Sequence, residues 1–159
     1  MSQTLPAIDT ATTMDIRPIF VSYSHADAKW LQDIERVLTP IVRSHRLSIW
    51  DDRCIKAGNK WCQDISLALS SAKSAILLVS QHFLASDFIV NNELLPLLSA
   101  AENKGIRIFW VAVSHSLVSE SPLWAYQCLN DPTRPLDSLS RSKRNAELVR
   151  IAIQIKDLS

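Results

Sequence analysis

The sequence predicts an α/β fold built on a parallel sheet with helices on its faces. Strand-like apolar runs at residues 16–21, 47–50, 75–80 and 106–113 alternate with helical stripes. The run Ala75-Ile-Leu-Leu-Val-Ser80 is unbroken, as expected of a strand buried on both faces. Strands that alternate with helices imply crossover connections, and crossovers make neighbouring strands parallel.

Each element follows in chain order. Residues 1–15 are polar and Thr-rich (Thr10, Thr12, Thr13) and read as a flexible leader before a single domain over 16–157. Ile16 to Val21 is the first strand, and Pro18 fits only its beginning. Asp27 is a candidate cap for the helix whose stripe is Trp30, Ile34, Val37, Leu38, Ile41 and Val42. Pro40 falls inside that stripe and is expected to kink or end the helix. Leu47 to Trp50 is a short second strand, and Asp51 to Lys60, with Gly58, is a loop. Cys62, Ile65, Leu69 and Ala72 mark a second helix, and Ala75 to Ser80 is the third strand. Phe88 to Glu102 is helical, with Gly105 where a helix-ending glycine belongs. Ile106 to Val113 is the fourth strand, 114–124 is loop, and Ala125 to Leu129 is a short fifth strand. Leu148, Ile151, Ile155 and Leu158 give the last helix its apolar stripe.

Composition excludes several function classes. The 159 residues are 47% apolar, enough for one domain's core. Lys and Arg number 17 against 16 Asp and Glu, so there is no basic excess for nucleic acid. The only glycines are Gly58 and Gly105, where average usage would give about 11. Two glycines so far apart make neither a dinucleotide-binding fingerprint nor a P-loop. Cys54, Cys62 and Cys128 lack zinc-site spacing and read as free thiols of a reducing compartment, so no metal is expected. No signal peptide and no membrane-length apolar run is present, which points to a cytoplasmic protein away from the membrane.

In open parallel sheets, ligands sit beyond the carboxyl ends of the strands. The segments to search are therefore Ser22–Asp27, Asp51–Trp61, Ser80–Glu93 and Ser114–Trp124. Ser22, Tyr23, Ser24 and His25 leave a strand for a helix start, where they either cap it or bind an anion or ribose. Asp51 ends a strand and can accept from ribose hydroxyls, or it belongs to a solvated acidic turn. Trp50 and Trp61 can stack on a ring or pack in the core. Glu93 lies between Val90 and Leu94 in an apolar helix, with Ile89 on its face. It is either an ordinary exposed glutamate or a desolvated carboxylate with a raised pKa. Pro96 removes a helical bond to Asn92 and should kink the helix beside it. Arg141, Lys143, Arg144 and Arg150, offset by Asp137 and Glu147, read as a solvated face.

Ile19-Phe-Val-Ser-Tyr-Ser-His25, Ser48-Ile-Trp-Asp-Asp-Arg-Cys-Ile-Lys-Ala-Gly58, Ser80-Gln-His-Phe-Leu-Ala-Ser-Asp-Phe88 and Glu93-Leu94 together resemble a TIR (Toll/interleukin-receptor) domain, most closely its bacterial branch. Tyr126-Gln-Cys-Leu-Asn-Asp-Pro132 and Pro135-Leu-Asp-Ser-Leu-Ser140 extend the resemblance over nearly the whole chain. The resemblance implies a flavodoxin-like fold with five parallel strands. It also implies two activities. One is cleavage of NAD at the nicotinamide–ribose bond, in bacterial or antiviral defence or signalling, with NAD as substrate and no cofactor. The other is a non-catalytic scaffold that recruits TIR domains. The family's catalytic glutamate falls on Glu93, and its nucleotide-lining positions fall on Tyr23, Ser24, His25, Asp51, Ser86 and Phe88. Self-association would use the Asp52–Lys60 loop. In many animal and plant members an aromatic lies four residues before the glutamate. Here Ile89 is there and Phe88 is five before, a difference that one extra residue in the turn absorbs. Lys56 stands where some active members carry a carboxylate.

A single carboxylate is chemically sufficient for that cleavage. Most glycosidases need a second one to protonate the leaving oxygen. The NAD pyridinium is already cationic and leaves neutral, so only the ribosyl cation needs stabilisation. A flavodoxin-like receiver is the other fold-level alternative. It requires an acceptor aspartate after the third strand, where Ser80-Gln-His stands.

Overall fold

The computed structural model describes residues 17–45, 47–50 and 72–158. The leader, Asp51, the Asp52–Lys60 loop and the helical stripe from Cys62 to Leu69 lie outside the described residues.

Five strands form one sheet: β1 (Arg17–Ser22), β2 (Leu47–Trp50), β3 (Ser74–Val79), β4 (Arg107–Ala112) and β5 (Gln127–Cys128). Their spatial order is β2-β1-β3-β4-β5, and all four pairings are parallel. The chain thus turns one way from β1 to β2 and the other way from β1 to β3. That reversal is the topological switch point of a doubly wound sheet, and in such sheets the ligand crevice lies at the carboxyl ends of the two strands that flank it, here β1 and β3.

Strand alternation divides the core in two. Phe20, Leu77, Val79, Ile108 and Trp110 point to one face, where they pack against Phe83, Ile89, Leu94 and Leu97. Ile19, Val21, Ile76, Leu78, Phe109 and Val111 point to the other. There they meet helices α1 (Ala28–His45) and α5 (Arg141–Leu158) through Leu31, Ile34, Leu38, Ile151 and Ile155. All six residues of β3 are buried, which explains its unbroken apolar run.

Helix α1 does not end at Pro40; it runs on to His45. Pro40 and Arg36 are both on the exposed side, so water can take the carbonyl that the proline leaves without a donor. The Thr39 hydroxyl donates to the Glu35 carbonyl at 2.8 Å, and Ser44 donates to that of Pro40 at 3.0 Å. Ile41 and Val42, beyond the proline, still pack on the core. Tertiary packing of the stripe outweighs the local preference to stop.

On the other face the chain forms α2 (Gln81–Ala85), α3 (Asp87–Ile89), a π turn over Val90–Leu94, and α4 (Leu95–Lys104). The predicted single helix over 88–102 is thus divided by a wider turn. Gly105 ends α4 with φ 73°, the left-handed conformation that favours glycine. Residues 114–124 contain two short 3₁₀ turns, Val118–Glu120 and the start of Pro122–Ala125. The fifth strand is only two residues long, and the buried Asn130 extends its pairing. The Asn130 amide accepts from the Ala112 N–H at 2.8 Å and donates to the Ala112 carbonyl at 3.0 Å.

Two of the four cations around α5 are structural. Arg144 donates to the carbonyls of Leu136 and Leu139, and its guanidinium lies 5.1 Å from the Trp30 ring centre. Arg150 donates to the Leu129 carbonyl and pairs with Glu147. Arg141 and Lys143 are exposed, as a solvated face requires.

Candidate functional site

The crevice between the ends of β1 and β3 holds a group of buried polar side chains. Ser22 is the last residue of β1 and is fully buried. By alternation it shares the face of Phe20, toward α3, the π turn and α4. There it meets Glu93. The Ser22 hydroxyl donates to Glu93 Oε1 at 2.6 Å, across 71 positions of sequence. Glu93 is 3% exposed, so it is not an ordinary exposed glutamate.

Glu93 reaches Ser22 from the π turn. Pro96 has no N–H to return to Asn92, so the normal helical ladder fails beside Glu93. The chain widens there, and the N–H of Leu95 bonds to the carbonyl of Val90, five residues back. The turn thereby takes in one additional residue directly after α3. Leu94 and Leu97 are buried on either side of the proline and hold the segment to the sheet.

A second buried pair lies across the crevice. The Ser80 hydroxyl, just beyond β3, donates to Asp27 Oδ2 and accepts from the Phe83 N–H at 3.1 Å. Asp27 closes the single 3₁₀ turn His25–Asp27 that follows β1. It does not cap a helix through its own side chain, as expected; Ser24 caps this turn by accepting from the Ala26 N–H. The sequence reading named Ser22, Asp27 and Ser80 but did not pair them. Buried Ser22 and Ser80 share one signal that was available. Each is the polar residue that ends an apolar strand at the switch point.

The other candidates are distributed around this centre. Tyr23 points to the opposite face and is buried among α1 and α5 residues, with its ring 5.8 Å from that of His25. Ser24 is half-buried, and its oxygen serves the 3₁₀ turn. His25 is exposed above the end of β1. Ser86 caps α3 by accepting from the Ile89 N–H at 3.2 Å. Phe88, in the next turn, is 49% exposed, whereas Ile89 is buried. Asp51 lies outside the described residues. The structure therefore brings Ser22 and Glu93 together, sets Ser24 and His25 on the same edge, and turns Tyr23 away. Among the described residues no group of His, Cys, Asp and Glu is arranged to hold a metal ion. No helix there is long and apolar enough to cross a membrane.

Comparison with known proteins agrees with this architecture. The chain is 34% identical over 76 residues to an uncharacterised protein, y4lF, of Sinorhizobium fredii. That match takes in 48% of this chain and 24% of the relative, so the chain spans about a quarter of that protein's length. The crystal structure of the TIR domain of the Toll-related receptor TRR-2 from Hydra magnipapillata superposes with a TM-score of 0.50 at 12% identity. That match covers 73% of this chain and 86% of that one, a likeness of fold. The TIR domains of the activated Roq1 resistosome match with a TM-score of 0.49 at 14% identity, over 86% of this chain and 84% of that one. A family model described as the TIR domain matches residues 19–148. With that match over most of its length, the chain belongs to the TIR-domain family.

Proposed function

We propose that this TIR domain cleaves NAD at the nicotinamide–ribose bond, releasing nicotinamide and ADP-ribose or a cyclised form. The observation that carries the reading is Glu93. It is a buried carboxylate, held by Ser22, at the crevice where a parallel sheet of this order takes its ligands. A carboxylate in such a setting stabilises developing positive charge more strongly than one in water.

The chemistry asks little else of the protein. The bond from the ribose anomeric carbon to the pyridinium nitrogen breaks, and its electron pair goes to the nitrogen. Nicotinamide departs neutral, so no general acid is needed. Glu93 supports the ribosyl cation. A water oxygen then bonds to the anomeric carbon and releases its proton to solvent; in cyclisation a nitrogen of the adenine replaces the water. The half-exposed Phe88 ring offers a stacking face for a base, and Ser24 and His25 offer polar contacts. Self-association with further TIR domains through the Asp52–Lys60 loop, and a role in cytoplasmic bacterial defence or signalling, belong to the same reading.

The near-complete burial of Glu93 favours a second reading, because a carboxylate that ties a turn to a strand also serves structure alone. In that case the domain is an interaction module that leaves NAD intact. Incubation of concentrated purified protein with NAD, followed by chromatography of the products, separates the two. Nicotinamide release by wild type that is lost in Glu93→Ala supports the enzyme. Equal release from both rules it out.

A further inference from the structure

Ser22 is a polar residue in a place that sequence logic reserves for an apolar one. It ends a strand paired on both sides, opposite Leu77 of β3, and it is fully buried on the face shared with Phe20. A buried hydroxyl without a partner is destabilising. Here the hydroxyl donates to Glu93 Oε1 at 2.6 Å, so both buried polar groups are satisfied by each other.

The two ends of this bond differ in stiffness. Ser22 is fixed by parallel pairing in the middle of the sheet. Glu93 stands in a π turn next to a proline, where the regular ladder of helical bonds is broken. A glutamate side chain has three rotatable bonds, and its carboxylate plane must be held for the charge to act on one particular atom. The hydrogen bond from β1 ties one carboxylate oxygen directly to the sheet.

We propose that Ser22 is a positioning residue for the Glu93 carboxylate. It holds Oε1 on the sheet so that the carboxylate faces the ribose, and it has no need to touch NAD itself. The inference rests on the reading of Glu93 as the group that supports the ribosyl cation. It adds to that reading the residue that orients the group.

The test compares wild type, Ser22→Ala, Ser22→Thr and Glu93→Gln as concentrated full chains. Folding is checked by circular dichroism and Tm. Nicotinamide release is expected to fall about ten- to a hundred-fold in kcat for Ser22→Ala with KM within about twofold, and Ser22→Thr, which keeps the hydroxyl, should recover most of it. A folded Ser22→Ala with kcat within about twofold of wild type overturns the proposal. A parallel readout needs no turnover. In protein labelled with carbon-13 at the glutamate side-chain carboxyl, the Glu93 resonance is identified by its loss in Glu93→Gln. It should move in Ser22→Ala and return in Ser22→Thr. If wild type releases no nicotinamide, the proposed function falls, and this resonance still decides the positioning. A signal that shifts with loss of the hydroxyl supports it, and one that stays overturns it.

Discussion

Ser80 and Asp27 are joined by a buried hydrogen bond that links the first residue after β3 to the turn after β1. The same hydroxyl accepts from the Phe83 N–H, so one oxygen fixes both the start of α2 and the segment that carries Ser24 and His25. A polar side chain with two defined partners in a buried site has one orientation available, and the crevice wall inherits that order.

Replacing Asp27 tests this link. Asp27→Ala leaves the Ser80 hydroxyl buried without its acceptor and is expected to cost about 1–3 kcal/mol. Asp27→Asn keeps an acceptor oxygen and should cost less than Asp27→Ala. Urea unfolding of the three proteins measures both. Equal costs for Asn and Ala would remove the hydrogen bond from the explanation.

Asn130 does the work of a strand residue with its side chain. It takes both backbone groups of Ala112, so Asn130→Ala strips two buried partners at once. The expected loss is about 2–4 kcal/mol, read as a Tm lower by roughly 10 °C. Asn130→Asp keeps the acceptor for the N–H but sets an oxygen against the Ala112 carbonyl, and should be no more stable than Asn130→Ala. A Tm within a degree of wild type for Asn130→Ala would show that β5 does not depend on this side chain.

Burial pushes the Cys128 thiol up from its ordinary range, and hydrogen bonds involving Asn130 and Ala112 only partly offset it. A raised pKa favours the neutral thiol, so the reactive thiolate forms only at higher pH than in an exposed cysteine. Alkylation of Cys128 by iodoacetamide at pH 8 should be several-fold slower in the folded protein than in urea, followed by peptide mass spectrometry. Equal rates would show the site to be open.

The scarcity of glycine sets an expectation for NAD itself. No glycine-rich backbone cradle is available for the pyrophosphate, so a dilute monomer should hold NAD weakly. On the proposed self-association, apparent affinity and specific activity should both rise with protein concentration. Titrations at several protein concentrations check this, and tight binding that ignores concentration would contradict it.

Much of the fold was legible because its strongest signals are local. After Ser74 and Arg107, the runs in β3 and β4 are apolar since both faces of the sheet are covered, and their short length marks them as strands. Gly105 marked its helix end because a positive φ leaves a compositional trace. Three features were not legible in this way. Helix α1 continues past Pro40 because two local signals conflict there, the proline and the stripe through Ile41 and Val42, and only packing decides between them. The fifth strand is two residues long, and its pairing is continued by the side chain of Asn130, which carries no strand signal. At the site, Glu93 was singled out by resemblance, since its position in an apolar helix left burial and exposure both open. Its bond to Ser22 spans 71 positions and has no periodicity to reveal it. Alternation alone does assign Tyr23 and Ser22 to opposite faces. That rule was available and separates the residue that lines the other core from the one that meets Glu93.

The π turn over Val90–Leu94 also bears on how this chain should be aligned with its relatives. A π turn holds one more residue than an α turn over the same stretch of axis. Helices with and without it match on both sides only if a single gap is opened inside the helix, between Phe88 and Leu95. An alignment that forbids gaps in helices slides one side by a residue, which shifts either Phe88 or Glu93 by one position against a helix that lacks the turn. Matching this segment to other helices therefore has to follow the backbone hydrogen bonds and not a fixed spacing in the sequence.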